Sequence, residues 1–225
     1  MEPIDLFQNP LRRWSQTRDG KYRPRVLVKA LHPRDRRRML RHFLGLEPAD
    51  RLLRFGTALP DPQVEQYVNH IDFARDVVFG VYNRRFRLVS VGHLAFAPRD
   101  AAHGAVTDKA RVAEFGVSVS ASARGIGVGS RMFERAAIHC RNNDVDTLYM
   151  HCLSSNKTMM HIAKKAGMEI HREYGEADAY LKLLPADPAS VMQEALDEQF
   201  AMLDYTLKAN KRAALKWLGR LTGRK

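Results

Sequence analysis

The run Arg124-Gly125-Ile126-Gly127-Val128-Gly129-Ser130 sets three glycines at alternate positions between a strand-like stretch and a helix-like one. Glycines without a Cβ let successive backbone N–H groups converge at a helix start, where the dipole favours negative charge. That chemistry suits a pyrophosphate, with Arg124 placed to add a bidentate contact. A tight strand-to-helix turn that serves packing alone is the structural alternative. Two other phosphate loops are excluded by spacing. A dinucleotide fingerprint needs G-x-G-x-x-G, but counting from Gly125 the last position is Ser130, and no acidic strand end follows suitably downstream. A P-loop needs Gly-Lys-Ser/Thr, and no lysine lies between Lys109 and Lys157.

His139-Cys140 and His151-Cys152 raise a zinc reading. Adjacent residues point about 100° apart on a helix and to opposite faces on a strand, so each pair offers at most one easy ligand. No metal is expected, and the two cysteines read as small buried hydrophobes.

The glycine loop must be held by the elements around it. Val26 to Leu31 reads as a first strand, followed by a helix with Met39, Leu40, Phe43 and Leu44 on one face and arginines on the other. Two short helical pieces follow, PADRLLRFG and DPQVEQYVNHI. VVFGVYN and FRLVSVGHLAFA read as strands joined at NRR, and ARVAEFGVSVS as a further strand with Phe115, Val117 and Val119 on one face and Glu114, Gly116 and Ser118 on the other. After the loop come a helix (GSRMFERAAIHCRNN), a strand (TLYMHCL) and a helix opened near Asn156 and stopped by Gly167. MEIHREY and AYLKLL read as a hairpin turning at GEAD.

The tail from Pro185 differs. Met192, Leu196, Phe200, Leu203 and Leu207 form an apolar stripe at helical spacing, Asn210 and Lys211 interrupt it, and it resumes at Ala214, Leu218 and Leu221. Its acids lie in the first half and its bases in the second, which complements the helix dipole. The same polarity suits antiparallel pairing with a second copy, a homodimer through the C-terminal helix. A helix folded back on its own domain, or basic-end contact with a membrane surface, are the other readings.

The net charge of +12 is uneven: residues 1–41 hold 12 Lys/Arg against 4 Asp/Glu, residues 42–184 hold 18 against 16, and residues 185–225 hold 7 against 5. A basic front end favours anionic partners such as nucleotide phosphates, nucleic acid or acidic protein surfaces, and argues against a polycationic substrate. The N-terminus has no apolar signal segment, and the longest apolar run, LVSVGHLAFA, is far short of a membrane span. With two cysteines and no disulfide framework, a cytoplasmic protein is expected.

R-x-x-G-x-G closing a strand is the acyl-CoA signature of the GNAT superfamily of N-acetyltransferases, and the chain resembles that family from about Arg25 to Leu184. A narrower likeness, to the acetyltransferase domain of bacterial protein-lysine acetyltransferases, rests on LHPRDRRRMLRHFLGLEPADRLLRFG, HIDFARD, AEFGVSVS and NKTMMHIAKKAGM. The resemblance implies an α/β (α+β) fold with a mixed central sheet of about six or seven strands flanked by helices. It divides the chain into a basic arm (1–24), an acetyltransferase domain (25–184) and a helical extension (185–225). It implies acetyl-CoA as acyl donor, with the backbone of Val117 and Val119 on pantetheine, Asn156 at the next helix start, and the loop from Arg124 to Ser130 on pyrophosphate. It makes Glu114 the candidate general base, the alternative being a strand carboxylate paired with an arginine. The tyrosine that many relatives place seven residues after the asparagine is Ala163 here. Ser155, His161 or Tyr174 are then the candidate proton donors, unless the thiolate leaves unassisted.

Two classes of function follow. The first is transfer of acetyl from acetyl-CoA to an amine, a protein lysine being the acceptor the subgroup implies. The second is an acyl-CoA-binding regulatory or interaction module with weak catalysis, contacting nucleic acid or a partner protein through its basic arm and C-terminal helix.

Overall fold

A computed structural model of the chain describes residues 26–96 and 111–221. The basic arm expected over 1–24 therefore lies outside the described residues. The elements in chain order are β1 (Lys29–Ala30), α1 (Arg36–Leu44), α2 (Pro48–Phe55), α3 (Asp61–His70), β2 (Val77–Tyr82), β3 (Leu88–Phe96) and β4 (Val112–Val119). After the glycine loop follow α4 (Val128–Asn142), β5 (Thr147–Leu153), α5 (Lys157–Ala166), β6 (Glu169–Glu173), β7 (Glu176–Lys182) and α6 (Pro188–Leu221). Among the described residues these strands form one seven-stranded mixed sheet in the order β1-β2-β3-β4-β5-β7-β6. Every neighbouring pair is antiparallel except β4 with β5, which is parallel. The expected fold class and strand count are those observed.

Period-two alternation gives the sheet two apolar faces. On one, Leu94, Phe115, Leu148 and Met150 pack against Met132, Phe133 and Ala136 of α4 and Ile162 of α5. On the other, Val78 and Val91 pack against Met39 and Phe43 of α1 and Val64 and Val68 of α3. The second layer covers the β2–β4 half of the sheet; the far half of that face carries Tyr149, His151, Asp178 and Tyr180.

Local chemistry moves some expected boundaries. The last hairpin turns at Tyr174-Gly175, with φ of 48° and 89°, so that Glu173 pairs with Glu176. Two left-handed residues in a row make the two-residue hairpin turn that matches strand twist, and Gly175 supplies one at no steric cost. The turn therefore precedes the GEAD acids rather than containing them.

The expected interruption at Asn210 is absent: α6 runs unbroken for 34 residues. Its docking also inverts the simple amphipathic reading. The face turned to the domain is polar and small, with Ser190, Asp197 and Ala201 buried, while Leu196, Leu203 and Leu207 are 48%, 61% and 70% exposed. The inward acids meet a row of arginines on α4. Arg131 pairs with Asp197 at 2.6 Å, Arg135 with Glu194 at 2.6 Å and Glu198 at 3.2 Å, and Arg141 with Asp187 at 2.6 Å. Burial disfavours charge on Glu194, but hydrogen bonds from His139, Arg135 and Asn142 outweigh it and hold the carboxyl down at about 2. Further along, Tyr205 packs on Tyr82 and Phe86, and Lys208 donates to the Tyr82 carbonyl at 2.7 Å.

Ion pairs of this burial are sensitive to losing one partner, because the other charge stays buried. Arg135→Ala is expected to lower unfolding free energy in urea by about 3 kcal/mol. A carboxyl depressed in the folded state adds stability that is complete above its unfolded pKa and lost as pH falls through the folded one. The Glu194 contribution is therefore expected to be full near neutrality and to fade toward about pH 2, and Glu194→Gln to remove that acid-side slope.

Candidate active site

The site begins where two strands separate. β4 and β5 pair only over Val112–Glu114 and Thr147–Tyr149, although both continue for several residues beyond. The other edge of β4 stays paired with β3 as far as Val119. On that edge the Ser118 carbonyl accepts from Ser90 Oγ, and Ser120 N–H donates to the Val89 carbonyl. Alternation then turns the N–H and C=O of Val117 and Val119 the opposite way, into the gap left by β5. The gap widens into a cleft of about 640 Å³.

All ten residues expected to bind the donor line this one cleft: Val117, Val119, Asn156 and the seven from Arg124 to Ser130. The three glycines do different jobs. Gly125 and Gly127 are left-handed, at φ of 76° and 83°, with open space where a Cβ would stand, and Gly127 is the residue before α4 begins. Gly129 lies inside the first turn of α4, where a Cβ would press on Ile162 of α5 at 3.1 Å. The first two shape the loop and the third allows two helices to approach. Arg124 is half-exposed and pairs with Asp50 of α2 at 2.5 Å across the cleft mouth. Asn156 caps α5, its Oδ1 accepting from Met159 N–H at 3.1 Å, and its amide donates to the Leu53 carbonyl of α2 at 3.4 Å.

Glu114 does not line the cleft. It occupies the last paired position of β4 with β5, on the exposed face, and among the described residues no hydrogen bond or ion pair engages its carboxylate. Among the described residues the arginine pairing weighed as its alternative role is not observed. Ala163 is fully buried in the core. Of the proposed substitutes, His161 lines the cleft, whereas Tyr174 sits at the tip of the last hairpin, 96% exposed.

Beside Glu114 lies a constellation that the sequence did not reveal. Asp76 Oδ2 faces His93 Nε2 at 3.0 Å, His93 Nδ1 faces the Tyr67 hydroxyl at 2.8 Å, and Arg54 donates to that hydroxyl at 3.0 Å. With Nε2–H given to the Asp76 carboxylate, Nδ1 accepts from Tyr67 and Tyr67 accepts from Arg54. Burial pushes His93 below its ordinary range, despite the Asp76 hydrogen bond, and pushes the Tyr67 phenol up. The chain ends with the Arg54 guanidinium lying on Gly116, where a Cβ would come within 2.6 Å of it. Arg54 lines the cleft, stacks on Phe55 and Tyr67, and pairs with no carboxylate among the described residues. These residues come from α2, α3, β3 and the α3–β2 loop, so no local motif joins them; the glycine opposite His93 in the β3–β4 register is the one signal.

A second cluster extends the exposed face away from Glu114. The Tyr149 hydroxyl donates to Asp178 at 2.6 Å, His151 shares the same oxygen at 2.8 Å, and the Tyr149 and Tyr180 rings lie 5.1 Å apart. Hydrogen bonds from Tyr149 and then His151 lower the Asp178 carboxyl below its usual range. Glu169 and Glu176 stand on the same face.

The acetyltransferase (GNAT) family model matches residues 47–168, more than half of the chain. The chain belongs to the acetyltransferase (GNAT) family. Its fold is similar to that of the GNAT domain of S. lividans PAT, at TM-score 0.58 and 21% identity over 74% of this chain and 93% of that one. A spermidine N-acetyltransferase from Vibrio cholerae, solved with CoA and spermine, is similar at TM-score 0.53 and 18% identity, covering 70% and 95%. A ribosomal-protein-alanine N-acetyltransferase from Brucella melitensis is similar at TM-score 0.52 and 16% identity, covering 70% and 100%. No curated protein matches the sequence. As a GNAT N-acetyltransferase the chain acts with an acyl-CoA donor, and the cleft fits one: unpaired β4 backbone along one wall, and a loop of left-handed glycines at the start of α4. Among the described residues no cluster of His, Cys, Asp or Glu is arranged to hold a metal ion, and no helix is long and apolar enough to cross a membrane.

The clash at Gly116 involves the end of a flexible side chain, which can move without disturbing the strand. Gly116→Ala is expected to keep its thermal stability within about 1 kcal/mol while displacing Arg54 from β4. The measurement is NMR of the His93 ring, whose resonances are expected to shift as Tyr67 loses its Arg54 donor.

Proposed function

We propose that the protein transfers the acetyl group of acetyl-CoA directly to the side-chain amine of a protein lysine, with Glu114 as general base. Residues 25–184 form the catalytic domain in this reading and 185–225 an extension. The observation that carries it is the position of Glu114: an uncommitted carboxylate at the junction between the donor cleft and an open, acidic, aromatic sheet face.

A lysine amine is an ammonium with a pKa of roughly 10 and must lose a proton before it attacks. Glu114 receives that proton, directly or through one water. The amine arrives over the face bearing Tyr149, Asp178, Tyr180, Glu169 and Glu176, where carboxylates and tyrosine rings favour a cation. This face is open sheet surface, which suits a side chain presented on a protein. Val117 and Val119 hold the pantetheine through backbone groups, and the loop from Arg124 to Ser130 holds the pyrophosphate, Arg124 leaving Asp50 to do so. When bound, acetyl-CoA supplies a thioester carbon open to attack and a sulfur that leaves as the thiolate.

Arg54 takes the place of the tyrosine absent at Ala163. It meets the charge that develops at the reacting thioester with a fixed guanidinium rather than with a proton. The Asp76–His93–Tyr67 chain is its support, holding the cation over Gly116.

Incubation with labelled acetyl-CoA, a panel of amines and lysine peptides, and a cell extract, read by mass spectrometry, tests the reaction. Label is expected on lysine side chains; label only on small polyamines, or none with tight CoA binding, overturns the acceptor. Glu114→Gln is expected to lower kcat by about 100-fold with CoA affinity unchanged, and an unaltered kcat at saturation removes Glu114 from the mechanism. Arg54→Gln is expected to lower kcat by about 10- to 100-fold at unchanged acceptor KM. Tyr67→Phe, which keeps the packing but frees Arg54, is expected to show a smaller loss of the same kind.

A further inference from the structure

The outward face of α6 has a period that packing against its own domain does not explain. Leu196, Phe200, Leu203 and Leu207, then Asn210, Ala214 and Trp217, follow one another at intervals of four, three, four, three, four and three. That alternation is the a/d seam of a heptad repeat, narrower than the broad stripe of a helix lying on a globular core. Leu196, Leu203, Leu207 and Trp217 are 48%, 61%, 70% and 61% exposed. The domain is met instead through Ser190, Glu194, Asp197, Ala201 and Tyr205. A seam about 30 Å long thus lies along the outside of a continuous helix.

We propose that this seam is a homodimer interface, in which α6 of two copies pack antiparallel as a two-stranded coiled coil. Only a partner helix of the same period meets a heptad seam along its length, and the sequence of α6 complements its own reverse. Setting Leu207 opposite Asn210 of the second copy also sets Leu203 opposite Ala214. Large then faces small in that layer. The same register brings Asp204 beside Lys211 of the second copy, twice by symmetry. Lys211 is exposed and in no ion pair among the described residues. A parallel arrangement would instead lay acidic half on acidic half and basic half on basic half. Asn210, the polar residue in the seam, falls in the two layers that flank the twofold axis, where a buried amide fixes register at some cost in stability.

Sedimentation of the full chain at tens of micromolar is expected to show a species of twice 25.7 kDa. Leu203→Glu/Leu207→Glu, at outward positions, is expected to convert it to monomer with undiminished helicity. Under mild oxidation Leu203→Cys/Ala214→Cys is expected to form a covalent dimer and Leu203→Cys alone to form none, because an antiparallel seam never sets position 203 against itself. The native Cys140 and Cys152 are buried and stay silent. A chain monomeric at every concentration, or a dimer indifferent to the double glutamate variant, overturns the proposal. So does a monomer that dimerises only once residues 1–25 are removed, which gives the seam to the arm. Seam-dependent binding to phosphatidylglycerol vesicles by a monomeric chain overturns it in favour of a lipid surface.

Discussion

A parallel pair of strands holds together only while the backbone groups of each find partners on the other, and β4 and β5 do this for three residues before parting. What lies beyond the fork is a strand satisfied on one edge and open on the other. An open edge inside a sheet costs free energy unless something polar and extended occupies it. The pantetheine arm of a CoA donor has that character, with amides spaced along a flexible chain. The fork also decides what stands next to what. Glu114 is the last paired residue, Gly116 the first on its face past the split, and Val117 and Val119 the first free donors and acceptors. An exposed carboxylate, a guanidinium and an open backbone edge thus follow one another along six residues of one strand.

Helix α4 links this arrangement to the rest of the chain. Its first turn begins at the left-handed Gly127, one face packs on the sheet, and its back carries Arg131, Arg135 and Arg141 into the acids of α6. Charge fastens the first half of the long helix, and Tyr205 packs on Tyr82 and Phe86 further along. The choice has a geometric effect, since directional ion pairs fix the rotation of α6 about its axis and leave its apolar seam outward.

What could be read from residues alone tracks how local each constraint is. The loop from Arg124 to Ser130 was legible because left-handed glycines, a helix start and a charged side chain declare themselves within seven positions. Glu114 was legible as a strand position; that no arginine among the described residues pairs with it was not, because that depends on side chains from distant elements. Arg54, Tyr67, Asp76 and His93 were invisible for the same reason: each reads singly as an ordinary surface or strand residue, and four elements must fold before they touch. For α6 the period was legible, and which way the stripe faces was left open between a second copy and the chain's own domain. The direction is set by arginines four apart at 131 and 135, which meet acids at 194, 197 and 198 and fix the rotation of the helix, and those partners lie about sixty residues apart in the chain. Asn210 looked like a break because it is polar amid leucines, yet asparagine on an exposed helix face costs too little to end a helix.

The bond between Arg124 and Asp50 changes how the affinity of the cleft should be understood. In the proposed role of this loop, an arriving phosphate does not add an ion pair to the protein; it exchanges a carboxylate for a phosphate on the same guanidinium. The free energy of that contact is the difference between two similar attractions. Dissolved salt screens the pair that is lost along with the pair that is gained, so this contact adds little to the ionic-strength dependence of binding. The Asp50 contact also keeps Arg124 in place beforehand, so less conformational entropy is surrendered when an anion takes over that guanidinium.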